Sequence, residues 1–267
     1  MSLRLTILGC GSSAGVPRVG QGWGACDPSN PRNRRRRCAA LVERIGPGGV
    51  TTVLVDVGPD LREQLIEADV RRVDAVLITH PHADHTHGID DLRPLYLTGR
   101  RRIDMLMDEP TALTVKNSFS YIFQTAIGSS YPPIATDLRL TAGSTCRIEG
   151  TGGVIEATPF DLDHGDINAL GFRFGALAYT PDVKRIPEGS RRFLDGLEVW
   201  IVDALRYRPH PSHFSLDDAL AEIETMRPRR AILTNLHTDL DYETLLKRLP
   251  PHIVPAYDGM RVEGFAG

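Results

Sequence analysis

Short apolar runs and alternating polar and apolar residues predict β-strands along much of the chain. Residues 3–8 form the first such run, and residues 40–45 and 51–56 form two more, separated by Gly-Pro-Gly-Gly. Two strand-like runs joined by a glycine-rich turn are typical of a β-hairpin. Residues 145–179 also alternate, with glycines at intervals, and this pattern predicts consecutive antiparallel strands.

Apolar residues at helical spacing interrupt the strands in both halves of the chain. The spacing predicts helices over residues 59–70, 109–119 and 215–226. The aromatic-rich residues 118–133 fit either a lid or a packed surface segment, and we favour packing. Strands interleaved with helices, in a similar order in both halves, favour two sheets packed face to face with helices outside. No linker divides the sequence, so we expect residues 1–267 to form one domain.

A histidine cluster follows the β-branched apolar run at residues 73–79, which predicts a buried strand. Four of the nine histidines lie within residues 80–87, together with a carboxylate. An expression tag would lie at a terminus and would not follow a buried strand. Neutral imidazole and carboxylate are ligands that borderline transition metals prefer. Because Pro81 favours an extended backbone before it, the first two histidines point the same way. The predicted ligands are His80 and His82 for one metal ion, and Asp84 and His85 for a second.

Composition narrows the class of protein without naming a function. The chain has 267 residues, 41% hydrophobic and 24% charged, with a net charge of -3 and a pI near 6.3. This balance allows a sizeable core and argues against extensive nucleic-acid binding. No apolar stretch approaches the roughly 20 residues that span a bilayer, and no signal-peptide pattern opens the chain. We therefore expect a cytoplasmic protein whose four cysteines, none in a C-x-x-C pair, are free thiols.

The cluster carries a resemblance to a known family. Residues 80–85, His-Pro-His-Ala-Asp-His, match the H-x-H-x-D-H signature of the metallo-β-lactamase-fold hydrolases. Residues 8–17 and 23–28 resemble the branch that contains the phosphoribosyl cyclic phosphate phosphodiesterases, the PhnP-like branch, and the likeness continues to residues 257–260. The resemblance implies an α/β fold, an αββα sandwich of two mixed β-sheets flanked by helices. It also implies two divalent metal ions, zinc or manganese, with iron as a further candidate.

The chain departs from this branch in one respect. The PhnP-like phosphodiesterases carry a cysteine-rich zinc knuckle early in the sequence, and only Cys26 lies in the corresponding stretch here. We therefore expect no separate structural zinc.

The resemblance also supplies ligands outside the cluster. It implies that His164 is the third histidine on the first metal and that Asp182 bridges both metals. It further implies that Asp56 orients a ligand histidine, although a helix N-terminal role for this strand-terminal aspartate is an equal alternative.

The last ligand is assigned against the usual pattern of the family, which has a histidine directly after a strand-terminal threonine. Here Asn235 follows Thr234, and His237 lies two residues further on. In an extended strand residues 235 and 237 would face the same side. We predict His237 as the final ligand, with a water-completed site as the alternative.

Catalysis is assigned to two residues. The resemblance places a catalytic histidine near residues 208–215, where His213 matches best and would act as general acid. A capping or surface role for His213 is the alternative. Asp84 would orient the proton of the attacking water while it binds a metal.

The resemblance implies a dinuclear hydrolase, and a phosphodiesterase is the leading hypothesis. It would cleave a small cyclic phosphate or a nucleotide-like diester by attack of a metal-bridging hydroxide. The five arginines within residues 32–37 favour a solvated charged loop, and the alternative is that one or two of them bind a phosphate. The alternatives are a tRNA 3′-processing nuclease, for which no basic arm is present, a thioester or lactam hydrolase, and a non-catalytic metal-binding carrier. We expect a small-molecule substrate, no membrane and no nucleic-acid partner; the long early loop leaves a homodimer open.

Overall fold

Two seven-stranded sheets form the centre of the structure, a computed structural model that describes residues 2–265. The first sheet has the strand order β14-β1-β2-β3-β4-β5-β6. Its strands are β1 (Ser2–Gly9), β2 (Ala39–Gly46), β3 (Gly49–Val55), β4 (Ala75–Leu77), β5 (Ile103–Met107), β6 (Ala135–Arg139) and β14 (Arg261–Phe265). Strands β14 to β3 pair antiparallel, and β3 to β6 pair parallel, so the sheet is mixed.

The second sheet repeats this mixed arrangement in the order β13-β12-β11-β10-β9-β8-β7. Its strands are β7 (Cys146–Ile148), β8 (Ile155–His164), β9 (Ile167–Phe174), β10 (Leu177–Thr180), β11 (Val199–Asp203), β12 (Arg230–Thr234) and β13 (Ile253–Pro255). Strands β7 to β10 are antiparallel and β10 to β13 are parallel. The consecutive antiparallel strands expected before residue 179 are therefore confirmed.

Helices cover the outer face of each sheet. The α-helices are α1 (Leu61–Glu67), α2 (Ala83–Thr86), α3 (Arg93–Gly99), α4 (Glu109–Ser118), α5 (Ser120–Phe123), α6 (Glu188–Arg191), α7 (Leu216–Met226) and α8 (Tyr242–Arg248). Short 3-10 turns cover Pro31–Asn33, Ile89–Leu92 and Arg192–Leu194. The predicted helix at 215–226 is α7, and Ser215 begins it with a capping box to Asp218.

Three hydrophobic cores separate the four layers. The central core lies between the sheets and includes Val42, Phe172 and Ile201. A second core holds α1 and α4 on the first sheet, and a third holds α7 and α8 on the second sheet. Side chains alternate across each strand, so each sheet buries both faces. The αββα sandwich that the resemblance implied is confirmed.

Two segments differ from their predicted form. The strand expected over residues 73–79 is confined to Ala75–Leu77, and an irregular extended stretch carries the chain on to the histidine cluster. Residues 118–133 contain the short helix α5, whose Ile122 and Phe123 are buried, whereas Tyr131 is exposed. This segment is therefore packed at its start and open to solvent further along.

Within residues 2–265, no helix is both long enough and apolar enough to cross a lipid bilayer.

Candidate metal centre

The clustered residues follow strand ends in both sheets. The histidines at 80–85 come after β4, His164 ends β8, and Asp182 follows β10 by two residues. Strands β8 and β10 are both antiparallel to β9 between them, so their carboxyl ends, with His164 and Asp182, lie at one edge of the second sheet. The site is thus shared by the two sheets.

Three histidines form the first group that could hold a metal ion. The ligand atoms of His80, His82 and His164 all lie within 4.8 Å of one another. Nδ1 of His82 is 3.0 Å from Nε2 of His80 and 3.4 Å from Nε2 of His164. Burial and the neighbouring imidazoles lower the pKa of His80 well below its usual value. A neutral imidazole is the form that binds a metal, so the structure brings together the predicted ligands of the first site.

Asp182 lies at the middle of the cluster. It belongs to two further groups of residues that could hold a metal ion, one with His80 and His85 and one with His164 and His213. Its Oδ2 is 3.2 Å from Nε2 of His85, and its Oδ1 is 3.9 Å from Nε2 of His164. Asp182 is 2% exposed, yet Oδ2 accepts no hydrogen bond. A buried carboxylate oxygen without a hydrogen bond fits a cation ligand, so the residues present fit the implied metal ions.

His85 is surrounded by carboxylates. Asp56 Oδ2 is 2.7 Å from its Nδ1, and Asp84 Oδ2 is 3.4 Å from its Nε2. Burial lowers the pKa of His85, but Asp182, Asp56 and Asp84 outweigh burial and raise it well above its usual value. Burial also opposes ionisation of Asp84, but His85 outweighs this and lowers the pKa of the carboxyl. This concentration of negative charge around one imidazole suits a second cation. Asp84 belongs to none of the three groups of ligand atoms that lie within 4.8 Å of one another, but it contacts His85, which does.

Asp56 holds His85 in place. Its Oδ1 accepts a hydrogen bond of 2.8 Å from the backbone N–H of Thr79, and the carboxylate is fully buried. Because Nδ1 of His85 faces Asp56, Nε2 is left to face Asp84 and Asp182. Of the two roles considered for Asp56, this geometry favours the orientation of a ligand histidine.

His213 joins the cluster from the loop before α7. Its ring lies 4.7 Å from the His164 ring, between centroids, and its Nδ1 is 3.7 Å from Asp182 Oδ1. Asp203, the last residue of β11, places its Oδ2 2.8 Å from the same Nδ1. Burial lowers the pKa of His213, but the charge and hydrogen bond of Asp203 outweigh burial and raise it to about 9.

Sequence reasoning missed Asp203, although a signal was present. Residues 199–203 are an apolar run that ends in a carboxylate. Asp56, which directly follows the apolar run of β3, shows the same pattern.

The structure does not bring His237 to the cluster. Among the described residues, none of the groups able to hold a metal includes it. Its Nε2 lies 2.6 Å from Arg18 Nη1, and its Nδ1 lies 3.3 Å from Asp239 Oδ1. The expectation assumed an extended strand, but Asn235 has a φ of 61° and breaks the alternation directly after β12. Asn235 faces the cluster instead, with Nδ2 3.1 Å from Asp182 Oδ1.

Most arginines of the early loop are engaged in structural contacts. Arg35 is buried and donates to the Leu240 carbonyl oxygen at 2.8 Å, and Arg36 pairs with Asp258. Arg37 pairs with Asp60. These three arginines are therefore occupied by internal contacts, and phosphate binding by one or two arginines of the stretch stays a prediction. The four cysteines are free thiols.

Comparison with known proteins relates the chain to the beta-lactamase superfamily. Residues 51–235 match the family model described as a beta-lactamase superfamily domain. The structure is similar to that of a diphosphatase of the PhnP family, with a TM-score of 0.88 and 34% identity, covering 99% of this chain and 98% of that one.

Two curated relatives are matched over part of their length. An octanoyltransferase of Porphyromonas gingivalis is 30% identical over 263 residues. The match covers 97% of this chain and 51% of the octanoyltransferase. A ribonuclease Z of Bradyrhizobium sp. is 30% identical over 156 residues, covering 57% of this chain and 48% of that protein. The chain thus spans about half the length of both curated relatives.

Proposed function

Because the chain belongs to the metallo-β-lactamase superfamily, in its PhnP-like branch, we propose that it is a dinuclear phosphodiesterase acting on a small phosphodiester. The observation that carries the proposal is Asp182, whose buried carboxylate belongs to two of the groups that could hold a metal ion and has an oxygen without a hydrogen bond. Two adjacent cations sharing one carboxylate are typical of phosphoryl-transfer centres.

The proposed ligands divide between the two sheets. The first cation would be held by His80, His82 and His164, the second by Asp84 and His85, with Asp182 between them. Zinc, manganese and iron all accept this set of imidazole and carboxylate ligands. When bound, such cations lower the pKa of a water molecule and neutralise the phosphate oxygens.

His213 would complete the reaction as general acid. Its Nδ1 is engaged by Asp203, which leaves Nε2 to face a leaving group. The water oxygen forms a new bond to phosphorus, the ester P–O bond breaks, and the leaving oxygen takes the proton from Nε2 of His213. Asp84, whose Oδ2 lies 3.4 Å from Nε2 of His85, would orient the proton of the attacking water. A positioned acid of this kind contributes about 10²- to 10⁴-fold to the rate.

A small substrate is favoured over tRNA. The chain carries a net charge of -3, and three of the arginines in its basic stretch are occupied by internal contacts. Binding a tRNA needs a surface that neutralises several phosphates at once.

The proposal is tested on protein reconstituted with zinc or with manganese. Bis-p-nitrophenyl phosphate, a nucleoside cyclic phosphate, a thioester and a lactam form the substrate panel, and metal content is measured in parallel. We expect turnover of the phosphodiesters, lost in Asp182→Asn together with bound metal and retained in the control His252→Ala, an exposed histidine outside the metal-holding groups. Turnover of the thioester or lactam alone would contradict the phosphodiesterase proposal, and full metal loading without any turnover would indicate a carrier.

A further inference from the structure

Arg18, on the loop between β1 and β2, contacts the histidine that was predicted to bind the second metal. Its Nη1 lies 2.6 Å from Nε2 of His237. A guanidinium only donates hydrogen bonds, so Nε2 accepts and the ring proton lies on Nδ1. Nδ1 in turn lies 3.2 Å from the Thr238 hydroxyl oxygen and 3.3 Å from Asp239 Oδ1. The carboxylate of Asp239, the imidazole of His237 and the guanidinium of Arg18 therefore form a row of three contacting groups.

The loop that carries Arg18 is fixed against the segment that carries His237. Ala25 donates a backbone hydrogen bond of 2.8 Å to the Thr238 carbonyl oxygen. Gly24 packs so closely that a Cβ atom there would lie 2.7 Å from the same oxygen. Arg18 also exchanges two backbone hydrogen bonds with Gly22, of 2.9 and 2.8 Å. The pairing of Arg18 with His237 is thus built into the backbone of the loop.

Among residues 2–265, Arg18 makes no direct ion pair with a carboxylate, and Asp239 reaches it only through His237. Arg36 and Arg37, further along the same loop, each pair with an aspartate. By contrast, Arg18 makes no such ion pair within residues 2–265: its side chain contacts the imidazole of His237, and its Nε has no hydrogen-bond partner. A guanidinium bound to a neutral acceptor keeps its full charge and most of its donors for an external anion.

Backbone contacts link His237 to segments that carry residues of the candidate metal centre. Asn235, which contacts Asp182, precedes His237 by two residues. The backbone N–H of His237 donates to the Leu205 carbonyl oxygen at 2.9 Å, two residues after Asp203. Through His237, Arg18 is therefore linked to the segments that directly follow β11 and β12.

We propose that Arg18 binds a second anionic group of the substrate, next to the phosphate that is cleaved, and that His237 and Asp239 position it. This inference rests on the proposed function and narrows its substrate class to phosphodiesters that carry a second phosphate, as in a diphosphate linkage.

The test compares Arg18→Gln with the parent on two substrates. ADP-ribose has two linked phosphates, and bis-p-nitrophenyl phosphate has one. We expect kcat/KM for ADP-ribose to fall about ten- to a hundredfold, mainly through KM, because a charge-assisted hydrogen bond is lost. The value for bis-p-nitrophenyl phosphate should change less than about twofold. The matched control is Arg34→Gln, since Arg34 is an exposed arginine of the same loop. An equal loss with both substrates, or no loss with either, overturns the inference.

The positioning role of His237 has its own readout. His237→Ala should reproduce the KM effect of Arg18→Gln on ADP-ribose, and His237→Gln, which keeps an acceptor near Arg18, should restore it. Both variants should keep two metal ions per chain. Loss of one metal equivalent would instead make His237 a ligand and contradict its positioning role.

Failure of the inference and failure of the proposed function remain separable. If the metal-loaded parent turns over neither phosphodiester, the proposed function fails, and calorimetric titration with ADP then decides the role of Arg18. The inference expects Arg18→Gln to bind ADP about tenfold or more weakly than the parent and than Arg34→Gln. Equal affinities in all three proteins overturn it.

Discussion

Two imidazoles of the candidate centre are each held at Nδ1 by a buried carboxylate. Asp56 holds His85 at 2.7 Å, and Asp203 holds His213 at 2.8 Å. In each case the opposite nitrogen is left for chemistry, because a hydrogen bond at Nδ1 fixes the ring orientation. The two carboxylates thus support different roles, one for a proposed ligand and one for the proposed acid.

Replacing His213 separates these roles. His213→Ala should lower kcat on a phosphodiester by about a hundredfold or more, because the leaving oxygen loses its proton donor. Metal content should stay at the parent value, since the proposed ligands of both cations remain. Steady-state kinetics and elemental analysis of the same sample measure the two quantities.

Asp203→Asn is the matched variant, because Asp203 contacts Nδ1 of the His213 ring. It keeps an oxygen near Nδ1 and removes the charge, so a smaller loss of kcat is expected than in His213→Ala. Loss of a metal equivalent in His213→Ala would make His213 a ligand, and unchanged kcat would remove it from the mechanism.

At the scale of the element, α2 presents two of the proposed ligands from a single turn. Its backbone is fixed by the loop after Asp56: Val57 donates to the His85 carbonyl oxygen and accepts from Gly88, both at 2.8 Å. Gly58 makes this packing feasible, since a Cβ atom there would lie 2.0 Å from the Asp84 carbonyl oxygen. The close approach of two backbones therefore sets where α2 lies.

Gly58→Ala should displace α2. The added methyl group meets backbone atoms that cannot rotate away, so we expect a loss of about 1–3 kcal/mol in the free energy of unfolding and weaker metal binding. Urea unfolding and competition with a chelator measure these effects. Gly189→Ala is the matched control, because nothing lies within 4 Å of a Cβ atom there. Parent-like metal affinity in Gly58→Ala would contradict the role assigned to this packing.

At the scale of the whole molecule, the candidate site joins the two sheets. The histidines at 80–85 follow the first sheet, whereas His164 and Asp182 belong to the second. Bound cations would therefore link the two halves of the sandwich.

Metal binding should stabilise the folded chain. At a free metal concentration of about 100 times Kd, the expected gain is about 2.7 kcal/mol in the free energy of unfolding, because the dispersed ligands of the unfolded chain bind weakly. Urea unfolding with zinc and with a chelator measures the difference. His164→Ala should lose most of the gain, and His252→Ala should keep it. An identical midpoint with and without zinc in the parent would contradict the proposed centre.

Local pattern was enough to predict most of the fold. The hairpin of β2 and β3, the antiparallel strands before residue 179 and the capped helix α7 depend on neighbours in sequence. The H-x-H-x-D-H stretch likewise showed its chemistry from spacing alone, because a short extended segment and one helical turn place its side chains. Residues 80–85 could therefore be selected from the sequence by their spacing, and His164 and Asp182 by the family resemblance.

Contacts between distant segments had to come from the tertiary structure. His237 was predicted by continuing a strand, yet the left-handed backbone of Asn235 turns it toward Arg18, 219 residues away in sequence. Asp203 acquires its role only where β11 ends beside the loop of His213. Spacing along the chain specifies local direction, whereas the partner of a buried charge depends on which loops the folded sheets bring to one edge.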